Sequence, residues 1–164
     1  MFYSNTIFKG VVSNEETVTF LIGIVNFGAS LIGLILIGKF GRKTLMVIFN
    51  TVMFIDLAAV GLFSLNGNKN AMVACLMIFI VAFEFSSGPI VWLYMSEIMC
   101  DKAQSVATVA NWMMNLIISI ICPPLVSAIG DDNIGYIFIS TGGLTLIGTI
   151  FLVVYMKETM GKTQ

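Results

Sequence analysis

Histidine is missing from the chain's 164 residues, arginine occurs once, at Arg42, and charged residues make up only 10%, against roughly 25% in an ordinary soluble domain. Without imidazole there can be no His-ligated metal, no His proton relay and no Ser-His-Asp triad. One Arg and a net charge of -1 leave no basic footprint for nucleic acid. The three cysteines, Cys75, Cys100 and Cys122, are far apart and form no C-x-x-C pair, so a zinc site or a disulfide framework is not expected. Two of them lie in apolar runs and read as small buried hydrophobes. No metal, cofactor or catalytic residue is expected, and the N-terminus has no basic region ahead of a long apolar core, so it does not read as a signal peptide.

What is abundant is apolar surface: 58% of the chain is hydrophobic, with 13 Phe and 11 Met. Runs of about 20 such residues cross a bilayer as helices. Five are predicted, about 17–37, 44–65, 71–95, 105–129 and 134–156. They are separated by GKFGRK (Gly38 to Lys43), NGNKN (Asn66 to Asn70), MCDKAQ (Met99 to Gln104) and GDDN (Gly130 to Asn133). Short loops make consecutive helices antiparallel neighbours, so the fold class is an all-α integral membrane helical bundle in one domain. Gly23, Gly28, Ala29 and Gly33 in the first span, and Gly142, Gly143 and Gly148 in the fifth, read as surfaces where helices approach closely. Lys39, Arg42, Lys43, Lys102, Lys157 and Lys162 fall on one side of the membrane and Lys9 and Lys69 on the other. The basic-rich side is expected to be cytoplasmic, with the C-terminus inside.

An ionised carboxylate at mid-membrane costs about 2.5 to 3.5 kcal/mol on insertion scales, so one that is kept faces a partner or a watery cavity. Glu84 lies about 20 Å along the third span at 1.5 Å per residue, and reads either as a cavity residue or as a structural Glu bonded to a neighbouring helix. Glu97 comes near the inner surface, where Arg42 supplies a cation. The two read either as a gate latch, strongest as a bidentate pair, or as two solvated charges. Between the acids, Gly88-Pro89 can kink or unwind the helix, a feature of helices that line a cavity or move, and also of static kinks.

In the fourth span Asn111 and Asn115 share one face, with Trp112 beside them. Two amides and an indole offer donors, acceptors and a flat apolar surface suited to the hydroxyls of a sugar ring. Asn26 and Trp92 could join that wall, and the competing reading is helix-gluing amides and an interfacial Trp. Asp56 has no partner evident in the sequence.

Several segments occur in a recognisable order. GRK at Gly41 to Lys43, GPIVW at Gly88 to Trp92 followed by Ser96-Glu97, NWMMN at Asn111 to Asn115, and KETMGKT at Lys157 to Thr163 together resemble the sugar porters of the major facilitator superfamily, which include the facilitative glucose transporters. The likeness covers essentially the whole chain as the C-terminal half of such a carrier. FYSNTIF resembles the outer end of the family's seventh helix, and the five spans its helices eight to twelve. The resemblance implies sugar contacts at Glu84, Trp92, Asn111 and Asn115, with Asn26 and Trp112 near the cavity. It implies a cytoplasmic gate at Arg42 and Glu97, with Gly88 and Pro89 as its flexible point, and alternating access of a hexose between two six-helix halves.

The chain departs from the family pattern in three places. Gly38 stands where an acid normally precedes the GRK turn, the link Met99 to Gln104 is shorter than usual, and Lys157 stands where Pro is typical. The family's other sugar-holding and proton-coupling residues would lie upstream of Met1. The chain is therefore expected to be part of a full carrier in a membrane, the plasma membrane by default. Its partners would be the bilayer, a sugar, the N-terminal half and, if the carrier is a symporter, protons. The alternative is a non-transporting sensor or assembly subunit that kept the fold.

Overall fold

A computed structural model describes residues 15–130, 133–159 and 161. They form six helices: α1 Glu15–Lys39, α2 Arg42–Leu65, α3 Lys69–Phe85, α4 Ser87–Ile98, α5 Asp101–Ile129 and α6 Ile134–Tyr155. Four helical stretches, Arg42–Leu65, Asn70–Ile98, Asp101–Ile129 and Ile134–Tyr155, are long and apolar enough to cross a bilayer, and Gly23–Lys39 adds a shorter apolar helix. The stub Met1 to Val12 and its likeness to a helix end lie outside the described residues, as do Asp131, Asp132, Met160 and Lys162.

Local chemistry sets the boundaries. The α2–α3 turn reverses through Gly67, whose φ of 69° is the left-handed conformation that glycine adopts without strain. Asn68 then caps α3, its side chain accepting a hydrogen bond from the Ala71 N–H at 3.3 Å. Gly130 closes α5 with a φ of 80°.

The third predicted span is two helices. Its break falls at Ser86, where φ is -133° and ψ is -90°, and the Ser86 N–H turns back to the Phe83 carbonyl at 3.2 Å. Gly88 and Pro89 lie in the first turn of α4. A proline there gives up an N–H that would have no intrahelical partner anyway. The pair therefore opens a new helix and does not kink a continuous one.

α2 is the centre of the bundle, packing along both α3 and α6. It approaches α6 most closely where two glycines face each other. A Cβ on Gly135 would lie 2.5 Å from the Gly61 carbonyl, and one on Gly61 would lie 2.8 Å from that of Gly135. Such contacts let helix backbones gain dispersion energy in lipid, where the hydrophobic effect between helices is absent. Of the small residues singled out in the sequence, Ala29 is buried and Gly33 meets α3, whereas Gly23, Gly28, Gly143 and Gly148 have open space where a Cβ would be. Gly142 is in ordinary contact with α2.

At the end of the bundle where α2 begins, Ile37, Leu45, Met46, Ile90 and Met156 form a buried apolar cluster. It joins α1, α2, α4 and the segment after α6, and so fixes the surroundings of Arg42 and Glu97. α5 stands apart: none of its described residues is buried, and Val106, Trp112 and Ile120 are among its exposed side chains.

Candidate functional site

Glu84 is in the last turn of α3, just before the break, and α1 supplies its partners. Asn26 Nδ2 donates to one carboxylate oxygen at 3.0 Å, and the Ser30 hydroxyl donates to the other at 2.6 Å. The two donors are four residues apart and so present to one side of α1. Both oxygens are thereby engaged, by groups that can equally bond a hydroxylated solute. One turn further along α1, Gly33 lets the helices touch: a Cβ there would sit 2.8 Å from the Glu84 carbonyl oxygen. The resemblance implied a sugar contact at Glu84 and a place near the cavity for Asn26, without pairing the two. Ser30 was missed, although its spacing from Asn26 carried the signal.

The second site, at the start of α2, is a network of charges. Arg42 Nε and Nη2 both donate to Glu97 Oε1, at 3.2 and 2.9 Å. This is one oxygen receiving two bonds and not a two-oxygen fork. Glu97 Oε2 accepts from the Thr159 hydroxyl at 2.5 Å. The ion pair is partly sheltered, the two side chains being 18% and 24% exposed, a setting in which such bonds are stronger than at an open surface.

Glu158 completes the network. Its carboxylate accepts from the backbone N–H of Arg42 at 2.7 Å and of Lys43 at 3.1 Å. It caps α2 from a distance, because the N-cap residue Gly41 has no side chain to do so. A negative charge there also complements the positive end of the helix. Lys43 Nζ in turn donates to the Val153 carbonyl at 2.8 Å, and the Lys157 N–H to the Tyr94 hydroxyl at 3.2 Å. The segment after α6 is thus stitched to α2 and α4. Neither Glu158 nor Thr159 was singled out by sequence reasoning, although both lie in the KETMGKT motif.

On α5, Asn115 Nδ2 donates to the Asn111 side-chain oxygen at 2.7 Å and to its carbonyl at 3.0 Å. The Asn111 amide donors and the Asn115 oxygen make no hydrogen bond among the described residues. Trp112 and Trp92 are 64% and 39% exposed. Among the described residues, no hydrogen bond joins the α5 pair to Glu84 or Asn26. The structure therefore brings Glu84 and Asn26 together, and Arg42 and Glu97 together, and presents Asn115, Trp112 and Trp92 as exposed, with Asn111 half-buried. Asp56 is buried beside the Cys75 thiol of α3, with Oδ2 unpartnered among the described residues.

Part-buried polar contacts thus lie beside the α3–α4 break and at the start of α2, in a bundle of helices long and apolar enough to cross a bilayer. Residues 1–164 match the family described as sugar (and other) transporters, and the chain belongs to that family.

The facilitated trehalose transporter Tret1 of Drosophila willistoni is 34% identical over 178 residues, covering 99% of this chain and 20% of the relative. The Tret1 of Polypedilum vanderplanki is 34% identical over 177 residues, covering 99% and 34%. The chain therefore spans between a fifth and about a third of the length of these relatives. Among solved structures, the proton:xylose symporter XylE bound to 6-bromo-6-deoxy-D-glucose superposes with a TM-score of 0.90 at 24% identity, over 99% of this chain and 36% of that one. The inward-open form of XylE from E. coli gives 0.78 at 23%. These likenesses establish the fold: part of a major facilitator bundle, in a multi-pass membrane protein.

Proposed function

We propose that this chain is the C-terminal half of a sugar carrier that works by alternating access, with Glu84 at the substrate path and Arg42 with Glu97 as the inner gate. The carrying observation is that the two acids flanking one helix break have separate partner sets: Asn26 and Ser30 for Glu84, Arg42 and Thr159 for Glu97. Thirteen residues apart, they lie on different helices, one on each side of the break at Ser86. The upper set can exchange its bonds for those of a sugar, while the lower set can part to release it.

In this reading Trp92, Asn111, Asn115 and Trp112 form the rest of the sugar wall, completed by an N-terminal six-helix half. The exposure of Trp92, Trp112 and Asn115 supports it, since a wall must be open to the solute and to the facing half. The C-terminus is cytoplasmic, on the basic-rich side, in the plasma membrane. The Tret1 relatives are named for trehalose and XylE for xylose, and hexose is the expectation from the sequence resemblance. The substrate class proposed is a neutral sugar, moved as a carrier's substrate and not chemically transformed.

The test is uptake by the full-length carrier in proteoliposomes, with labelled glucose, trehalose and xylose in parallel and the proton gradient present or collapsed. Glu84→Ala and Asn111→Ala should lower uptake of the sugar that is carried, and Arg42→Ala should uncouple binding from movement. Transport of none of these sugars, or uptake unaffected by all three substitutions, refutes the proposal. Labelling of the exposed Cys100 with a membrane-impermeant maleimide in right-side-out vesicles tests the orientation. Reaction before permeabilisation places that loop outside.

A further inference from the structure

α4 is fastened to α2 at both of its ends. At the inner end stands the Arg42–Glu97 pair. At the other end, one residue past the break, Asn50 Nδ2 donates to the Ser87 hydroxyl at 3.2 Å, and that hydroxyl donates back to Asn50 Oδ1 at 3.3 Å. The second Asn50 N–H bonds the Met46 carbonyl at 2.8 Å, so the amide has both donors and its acceptor engaged. Asn50 is 8% exposed, in a helix that is otherwise apolar along this face. An amide there is costly to bury unless its bonds are made.

The first turn of α4 needs such an attachment. The residue before it, Ser86, is fully buried but makes no side-chain cap for α4. Its hydroxyl donates back to the Ala82 carbonyl of α3 at 2.9 Å. The first turn of α4 is held instead by the packing of the buried Ile90, and its polar side-chain attachment to α2 is the Ser87–Asn50 pair. Arg42 and Asn50 are two turns apart on α2, about 12 Å, while Ser87 and Glu97 are ten residues apart on α4, about 15 Å. The separations are close enough for one helix to hold the other at both points.

We propose that Asn50 is a positioning residue for the inner gate: its paired bonds with Ser87 pin the first turn of α4 to α2 and so set where Glu97 comes to rest against Arg42. The proposal rests on the gate reading above for its functional meaning, and on the geometry for the pin itself. When Arg42 and Glu97 part, α4 keeps its upper attachment and swings about Ser87. α3 stays tied to α1 through Glu84.

The experiment measures the position of α4 in the full chain in nanodiscs, by pulsed electron paramagnetic resonance. Spin labels go on Cys100 and on Lys39→Cys, both exposed, with Cys75 and Cys122 replaced by Ala. Asn50→Leu, similar in size, should raise the ratio of displaced to docked α4 about fivefold, the equivalent of about 1 kcal/mol for a lost hydrogen-bond pair. Ser87→Ala removes the same bonds without adding bulk, and should give the same shift. The two together should do no more than either alone, which a general loss of packing would not produce.

Unchanged distances in both single variants, or shifts that multiply in the double, overturn the proposal. Glu97→Gln separates the two readings. If it leaves the distances and sugar uptake unchanged, the gate reading fails, while the Asn50 variants still decide whether the pin exists.

Discussion

Gly41→Ala isolates the contribution of the segment after α6 to the start of α2. Gly41 is the N-cap of α2 and has no side-chain cap of its own. The Glu158 carboxylate occupies the space a side chain would fill, and a Cβ on residue 41 would lie 2.5 Å from Glu158 Cδ. That is closer than atoms can approach, so Glu158 must swing away and release the amides of Arg42 and Lys43, which it holds at 2.7 and 3.1 Å. A side-chain cap is worth about 1 kcal/mol and a negative charge at a helix N-terminus about 0.3 to 1 kcal/mol. Together they give about 2 kcal/mol, which corresponds to about a 30-fold change in an equilibrium.

The readout is hydrogen exchange at those two amides, which have no intrahelical acceptor. Exchange should accelerate about 30-fold in Gly41→Ala, as in Glu158→Ala, and no further in the double variant. Amides that keep their protection in Gly41→Ala would refute the steric argument. Accelerations that multiply in the double would show that Gly41 acts through something other than Glu158.

Three further outcomes follow from the same contacts. Glu84→Gln sets an amide N–H₂ against one of the two donors on α1. It should cost about 1 to 3 kcal/mol at that contact and raise the KM of the full-length carrier in an uptake assay; an unchanged KM argues against a substrate role. Gly33→Ala forces a Cβ to 2.8 Å from the Glu84 carbonyl and should cost about 1 to 3 kcal/mol of stability, read as an earlier thermal unfolding in detergent than in the parent chain. Asp56→Leu removes a buried carboxyl oxygen that has no partner among the described residues. It should leave stability unchanged or raise it by about 1 to 3 kcal/mol, and a clear loss would mean that the oxygen is satisfied in the membrane.

Helices of membrane length are legible in this sequence because lipid imposes a simple rule: the chain must hide its backbone polar groups for about 20 residues at a time. The family is legible for a different reason, since GRK, GPIVW, NWMMN and KETMGKT occur in order. Partners are harder to read. Glu84 was visible as an anomaly, but its two donors lie 54 and 58 residues upstream, and no spacing rule links one helix to another. The break was placed at Gly88-Pro89 on conformational preference, whereas it falls at Ser86, because a proline is better tolerated in a first turn than in a helix interior. The tight glycine contact of α2 with α6 was missed because Gly61 and Gly135 are isolated in their helices, whereas the more conspicuous glycines at 142, 143 and 148 make ordinary contact or none.

The cap on α2 also has a consequence for how the protein is made. Arg42 and Glu158 are separated by 116 residues, so α2 enters the membrane long before its capping carboxylate has been synthesised. Until α3 to α6 are in place and residues 157–159 have left the ribosome, the start of α2 is uncapped and Glu97 lacks the Thr159 hydroxyl. The contacts of residues 157–159 with α2 and Glu97 therefore form only after α1 to α6 have been synthesised, and a product stopped just after α6 would carry all six described helices but lack the Glu158 cap and the Thr159 bond.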